Sequence, residues 1–349
     1  MIIWDKKKKI LLGVAIALVV VLVVATIFIL TRGKKTEGPP SSTPPVEFSD
    51  NRVVCPLDGT KVEQSDVKHP IAIMVENHTQ ARPQAGLDKA SIVYEAVAEG
   101  GITRFMAIFG CSSTDKVGPV RSARTYFVDW AREYNAFYAH AGGAQNALTK
   151  IVEDGILDLN HNATAFWRQK DGRALEHTLY TSIPHLYQYA QARGYSEKTD
   201  DTLRQWQFKK EDEASMRPAE EKIYEVNFSS ALYNTQWKYD PATNSYLRLL
   251  AGQPHKDEIS GEQLKAKNVV IATYSRRAVQ SAGKTVYDFT VTGSGEAKIL
   301  RDGVVITGTW KREGKERTLF YDSNGREVQF NPGQTWIQVI NPDGGSTNA

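Results

Sequence analysis

Residues 71–110 read IAIMVENHTQARPQAGLDKASIVYEAVAEGGITRFMAIFG. Three apolar runs stand in it: Ile71-Ala72-Ile73-Met74-Val75, Ser91-Ile92-Val93-Tyr94-Glu95-Ala96-Val97 and Arg104-Phe105-Met106-Ala107-Ile108-Phe109. Each is too short for a typical helix, apolar on successive residues and bounded by turn residues, so each reads as a strand buried on both faces. Downstream, Thr125 to Tyr134 has helical spacing, with Phe127, Ala131 and Tyr134 on one stripe. Ala136 to His140 reads as a further strand, ending in Gly142-Gly143. A helix is expected over 144–153, stopped at Gly155, and another over 184–193, with Pro184 in its first turn and Gly194 at its end. Residues 51–217 therefore form an α/β (or α+β) domain.

Beyond Arg217-Pro218 the apolar period changes to two, as in Lys222 to Phe228, Val286 to Val291 and Thr335 to Val339. Turns are marked by Asp302-Gly303, Asn324-Gly325 and Asn331-Pro332-Gly333. Residues 218–349 are expected to be a smaller, mostly antiparallel β domain, with a short helix near Gly261 to Ala266.

Upstream, Ile10 to Leu30 is a run of 21 residues without a charge, flanked by Lys6 to Lys9 and by Arg32, Lys34 and Lys35. At about 1.5 Å per helical residue it spans roughly the 30 Å core of a bilayer. A cleaved signal peptide is the rival reading. Its apolar region is usually about 7–15 residues and is followed by small residues; this run ends Phe28-Ile29-Leu30-Thr31-Arg32, with no cysteine near for lipid attachment. The expected order is a cytoplasmic tail (1–9), a transmembrane anchor (10–30), a Pro/Ser-rich linker (31–50) and a body outside the cytosol. Cys55 and Cys111, the only cysteines, either pair in an oxidising compartment, contributing about 3–4 kcal/mol, or remain buried thiols.

Of the 43 Lys and Arg and 40 Asp and Glu, seven and one lie in residues 1–35, leaving a body of 36 basic against 39 acidic residues, net −3. The positive overall charge belongs to the anchor, and no nucleic-acid footprint is expected.

Candidate chemistry gathers between Arg82 and Gly143. In Gly118-Pro119-Val120-Arg121-Ser122-Ala123-Arg124-Thr125 a turn delivers two arginines to a helix start, with Ser122 or Thr125 as its cap. Free N–H groups and guanidinium forks there suit an anion; structural salt bridges are the alternative. His140 precedes Gly142-Gly143, whose backbone admits close approach. Glu95, in an apolar strand, needs a partner among Arg82, Arg104, Arg121 and Arg124. Glu99 opens a glycine turn toward a cleft, and Glu95 with Glu99 and His140 would be the acid–base set of a glycan hydrolase; a buried ion-pair network is the other outcome. No nucleophile elbow, metalloprotease, phosphate-loop or dinucleotide motif occurs. His255-Lys256-Asp257 reads as an exposed loop, and neither a metal site nor a cofactor is expected.

Arg82 to Ala90, Val93 to Ala96, Glu99 to Phe105, Gly118 to Arg124 and His140 to Gly143 closely resemble the YerB-type lipoproteins. So do Tyr246-Leu247-Arg248, Pro254 to Asp257 and Lys267 to Val270. The resemblance covers about 55–345 and implies a bacterial cell-surface protein of two domains with no activity to carry over. A looser analogy joins Arg104, Arg121, Arg124 and Gly142-Gly143 to the LytR-CpsA-Psr envelope phosphotransferases. The Arg-x-Asp pattern of that family is absent, because Phe105-Met106 follows Arg104.

The expected function is a membrane-anchored envelope protein binding an anionic ligand through Arg82, Arg104, Arg121, Ser122, Arg124, Gly142 and Gly143. The ligand would be peptidoglycan, a teichoic-type polymer or a lipid-linked phosphate. The alternatives are a glycan hydrolase or phosphotransferase built on Glu95, Glu99, His140 and the arginines, and a scaffold docking a protein near Trp237 or Trp310.

Overall fold

The computed structural model describes residues 52–199, 204–342 and 346–348. The expected tail, membrane span and linker, residues 1–50, lie outside the described residues. Among those described, no helix is long and apolar enough to cross a membrane.

The three opening runs form β1 (Ile71–Glu76), β2 (Ile92–Val97) and β3 (Thr103–Phe109), with every residue buried. Ile71, Ile73 and Val75 enter one apolar cluster while Ala72 and Met74 enter another, so these strands are covered on both faces. β4 (Phe137–His140) and β5 (Asp158–Asn160) continue the sheet, and both lie parallel to β1. Next in the chain come β6 (Ile223–Asn227), β7 (Thr235–Asp240) and β8 (Ser245–Leu250), an antiparallel sheet of their own. β9 (Asn268–Thr273) returns to the main sheet, and β10 (Arg276–Ser281) with β11 (Lys284–Phe289) forms a separate hairpin. β12 (Gly293–Arg301), β13 (Val304–Arg312), β14 (Leu319–Asp322) and β15 (Thr335–Ile340) supply the remaining strands of the main sheet.

The main sheet runs β14-β13-β12-β9-β15-β2-β3-β1-β4-β5, so strands from before and after residue 218 share one ten-stranded sheet. Its seam is β15, parallel both to β9 and to β2, with Thr335 opposite Ile92 and Val339 opposite Ala96. The later segment is mostly antiparallel, as the alternation predicts, but β15 departs from that rule because it is central and covered on both faces. Helices α1 (Thr125–Arg132) and α2 (Gln145–Glu153) cover one face through Phe127, Trp130, Ala147 and Ile151. Helix α3 (Ile183–Ala192) and the β6–β8 sheet cover the other, where Trp237 meets Trp336 at 5.4 Å between ring centroids. Each fully buried large apolar side chain contributes about 1.5–3 kcal/mol.

Cys55 and Cys111 form a disulfide. Three local expectations need correction. The segment 261–266 is extended, with Gln263 bridging Lys256 and the two-residue strand Lys265–Ala266 pairing with Tyr246 and Leu247. Neither Ser122 nor Thr125 caps α1: Arg124 takes that position without a side-chain bond, and the Thr125 hydroxyl donates to Asp288 at 2.7 Å. Trp237 and Trp310 are buried, so neither offers a docking surface.

Candidate functional site

The carboxyl ends of β1, β2 and β4 lie along one edge of the main sheet with the start of β3, since Glu76 pairs across from Arg104 and Val97 from Thr103. Open α/β sheets place ligand sites at this kind of edge. The loop from Gly118 to Arg124 crosses it, tied down by Arg121 N donating to Met74 O and Ala123 N donating to Gly142 O.

Arg104, Arg121 and Arg124 converge here. Arg124 grips the Glu99 carboxylate with Nε and Nη2. Arg121 Nε lies 2.9 Å from Glu76 Oε1, an ion pair rather than a directed hydrogen bond. Arg104 is buried and donates through Nη1 to Ser122 O at 2.8 Å. Among the described residues no carboxylate lies within ion-pair distance of it. Burial, then the like charge of Arg124, brings the Arg104 guanidinium down to about 10, with Arg121 adding to the effect. Burial would raise the Glu99 carboxyl, but its bonds to Arg124 and the field of Arg104 hold it below the usual range. The β10–β11 hairpin leans over this edge. Its Asp288 takes the Thr125 bond, its Ser281 hydroxyl accepts from Asn146 N at the start of α2, and Arg276 influences the buried Tyr126.

The remaining nominees play other parts. His140 is buried at the same edge, with Nδ1 2.7 Å from Gly142 O and Nε2 2.9 Å from Asp158 Oδ1, so neither ring nitrogen is left for a substrate. Gly142 N–H is taken by Asn160 Oδ1 at 2.9 Å, which removes it as an anion donor. Gly143 packs closely: a Cβ there would meet Leu148 Cδ2 at 3.1 Å and Ala123 Cβ at 3.2 Å.

Glu95 points the other way, into the interface with the β6–β8 sheet. Its partner is none of the four expected arginines but Arg248, at 2.7 Å with both side chains fully buried. Thr103 Oγ1 donates to Glu95 Oε1 at 2.8 Å, and Arg248 Nη2 also donates to Thr235 Oγ1 at 3.1 Å. Arg248 Nε donates to His255 Nδ1 at 3.0 Å, so His255 Nε2 carries the proton that Gln84 Oε1 accepts at 2.7 Å. Burial, then Arg248 and Arg82, presses His255 well below the ordinary histidine range. Arg82 belongs to this interior network through Asn77 Oδ1 at 3.1 Å. The segment 255–257 is thus not an exposed loop, since His255 and Asp257 are buried, and no metal-holding group occurs among the described residues. Glu95 and Glu99 cannot act as paired carboxylates, because one is sealed in the core.

Sequence reasoning passed over Glu76, the partner of Arg121, and two histidines next to it. Glu76 closes β1, and its Oε2 lies 2.8 Å from Nδ1 of the buried His177. The ring of His78 stacks on His177 at 4.7 Å. The signal was a glutamate ending an otherwise apolar strand. A cavity of about 490 Å³ lies at the opposite end of β1 and β3, beside Lys68, Gly110 and Cys111. The arginine edge is singled out by its charge, not by its depth.

Two family profiles match, the N-terminal domain of a protein of unknown function (DUF3048) over residues 57–196 and its C-terminal domain over 224–337. The chain belongs to this family. It is 33% identical over 300 residues to a protein of Bacillus subtilis (strain 168) named "Putative lipoprotein YerB", covering 84% of this chain and 87% of that protein. A crystal structure of the YerB protein from Bacillus subtilis superposes with a TM-score of 0.74 at 30% identity, covering 85% of this chain and all of that one. The resemblance read from residues 82–143 and 246–270 therefore holds along the body, and the two-domain, strand-rich mixed α/β fold is that of the relative.

Proposed function

We propose that this is a membrane-anchored protein of the bacterial cell envelope whose arginine edge binds an anionic envelope ligand. Peptidoglycan, a teichoic-type polymer and a lipid-linked phosphate all carry the required charge. The observation that carries the reading is Arg104, a buried guanidinium without a carboxylate partner among the described residues, crowded by Arg121 and Arg124. Like charges held together at a sheet edge are stabilised by an anion between them. The start of α1, which no side chain caps, brings a helix N-terminus nearby. The envelope address is supported by the lipoprotein name of the relative and by the Cys55–Cys111 bond, which suits an oxidising compartment. For this chain the attachment is proposed to be the span 10–30, N-terminus inside.

Removing both partly exposed arginines, Arg121→Ala with Arg124→Ala, is expected to weaken co-sedimentation with purified cell walls at least tenfold. The ligand would lose two charge-assisted contacts of about 1.5–3 kcal/mol each. Unchanged sedimentation overturns the assignment. An enzymatic reading rests on Glu76 and His177, because a carboxylate on Nδ1 orients an imidazole for proton transfer. It is tested by release of phosphate or reducing sugar from envelope polymers, with no release by the wild type excluding it.

A further inference from the structure

The arginine edge continues onto the β10–β11 hairpin, and the two together carry more positive charge than one anionic group can answer. At the edge, Arg104 is 8% exposed and bonded only through Nη1, yet its Nε and Nη2 are not sealed from solvent. Arg121 also keeps both Nη atoms unbonded and open, since Glu76 faces its Nε. These nitrogens suit a single phosphate or carboxylate.

The hairpin is pinned beside them at both ends. Asp288 accepts from Thr125, the residue after Arg124, and pairs with Arg277 at 3.3 Å. Ser281, opposite Lys284, accepts from Asn146 N at the start of α2. Four strand residues separate the Arg277–Asp288 rung from the Ser281–Lys284 rung, about 13 Å at roughly 3.3 Å each. Along that length stand Arg276, Arg277 and Lys284. Arg276 lies over the Tyr287 ring at 4.0 Å, which steadies its guanidinium without neutralising it. The acids at hand are spoken for: Glu76, Glu99 and Asp288 are each matched to one arginine, and Asp158 to His140. Among the described residues no carboxylate comes within ion-pair distance of Arg276 or Lys284. Arg104, Arg276 and Lys284 are therefore surplus cations, spread over more than the reach of one anion.

We infer that the ligand is a linear polymer with a phosphate in each repeat, one phosphate seated on Arg104 and Arg121 and later ones passing Arg276 and Lys284. This rests on the arginine edge as the anion site and narrows its ligand to the teichoic class. A lipid-linked phosphate presents its charge at one end and would leave the hairpin unanswered. Peptidoglycan carries its carboxylates on side branches rather than along one line.

The test uses the full-length protein in nanodiscs of uncharged lipid, with binding followed by calorimetry. The probes are glycerol phosphate, poly(glycerol phosphate) of rising length, poly(glutamate) of equal charge and phosphatidylglycerol vesicles. Affinity is expected to rise at least tenfold from glycerol phosphate to the polymer. Arg276→Gln with Lys284→Gln should remove most of that gain and leave glycerol phosphate within twofold of the wild type. Its polymer binding should also depend less on salt, the log–log slope flattening by about 1.4 at roughly 0.7 per lost charge. Glycerol phosphate binding as tightly as the polymer, polymer binding unchanged in the double variant, or tighter binding of poly(glutamate) or of vesicles each overturns the inference. The length series is read on the wild type, so it decides even if the double variant fails to fold. Any of these results leaves the edge itself standing as long as Arg121→Ala with Arg124→Ala still loses cell walls; walls retained by that variant bring down the edge instead.

Discussion

Two glutamate–arginine pairs, four residues apart in sequence on the acidic side, meet opposite fates. Glu95 and Arg248 are fully buried, and Thr103, Thr235 and His255 complete the pair. Glu99 and Arg124 sit at the rim, part-exposed and next to Arg104, which has no carboxylate of its own. The first arrangement is closed and joins the two sheets. The second is electrostatically unfinished and faces outward. Chemistry common to both, a carboxylate beside a guanidinium, closes a core in one place and leaves positive charge over in the other.

That contrast is broken most severely at Arg248. Arg248→Met strands the Glu95 carboxylate in the core and should cost about 3–5 kcal/mol in chemical denaturation. Adding Glu95→Leu should recover most of the loss; a double variant as unstable as the single one would show that Glu95 is not the source of the penalty. A smaller effect concerns His255. Its folded form stays neutral well below the ordinary histidine range, while the unfolded residue takes a proton near pH 6.5. The unfolded state then binds more protons, so stability falls as pH drops below about 6.5, by up to about 1.4 kcal/mol per unit. His255→Gln should flatten that slope in melts between pH 5 and 7 relative to the wild type; an unchanged slope would remove His255 as its cause. The smallest effect belongs to Glu99→Gln. The pair sits at the rim, and glutamine keeps an oxygen for Arg124, so stability should fall by only about 1 kcal/mol. Wall binding should instead rise by up to about fivefold, because Arg124 is released to the ligand. Weaker binding would mean that Glu99 positions the arginine rather than competing for it.

Much of the frame was legible because it is written locally. Apolar runs such as Ile71–Val75 can only be strands covered on both faces, and Gly155 and Gly194 end their helices where the pattern stops. Pairing across segments left no local trace: nothing in Thr335–Ile340 says that it lies beside Ile92–Val97. Arg248 did leave a mark. The period of two in β8 puts it in phase with Tyr246 and Leu250, which are buried, and out of phase with Leu247 and Leu249. An arginine on the inward face demands a buried acid, and Glu95 faces inward in the same sense beside Val93 and Val97. The turn that carries Arg121 and Arg124 to a helix start was readable, but their convergence with Arg104 was not, because it depends on the loop 118–124 crossing the sheet edge. Nor was it readable that Asp158 and Gly142 would occupy both nitrogens of His140, because Asp158 arrives from a strand that only the fold brings alongside.

The late arrival of β15 has a consequence for how the polypeptide is made. Ile92–Val97 and Asn268–Thr273 both wait for Thr335–Ile340 to be synthesised before their facing backbones are paired. Until then the nascent protein carries two raw apolar edges, templates for misassociation. The first edge waits while roughly 240 further residues are made, the second while roughly 60 are.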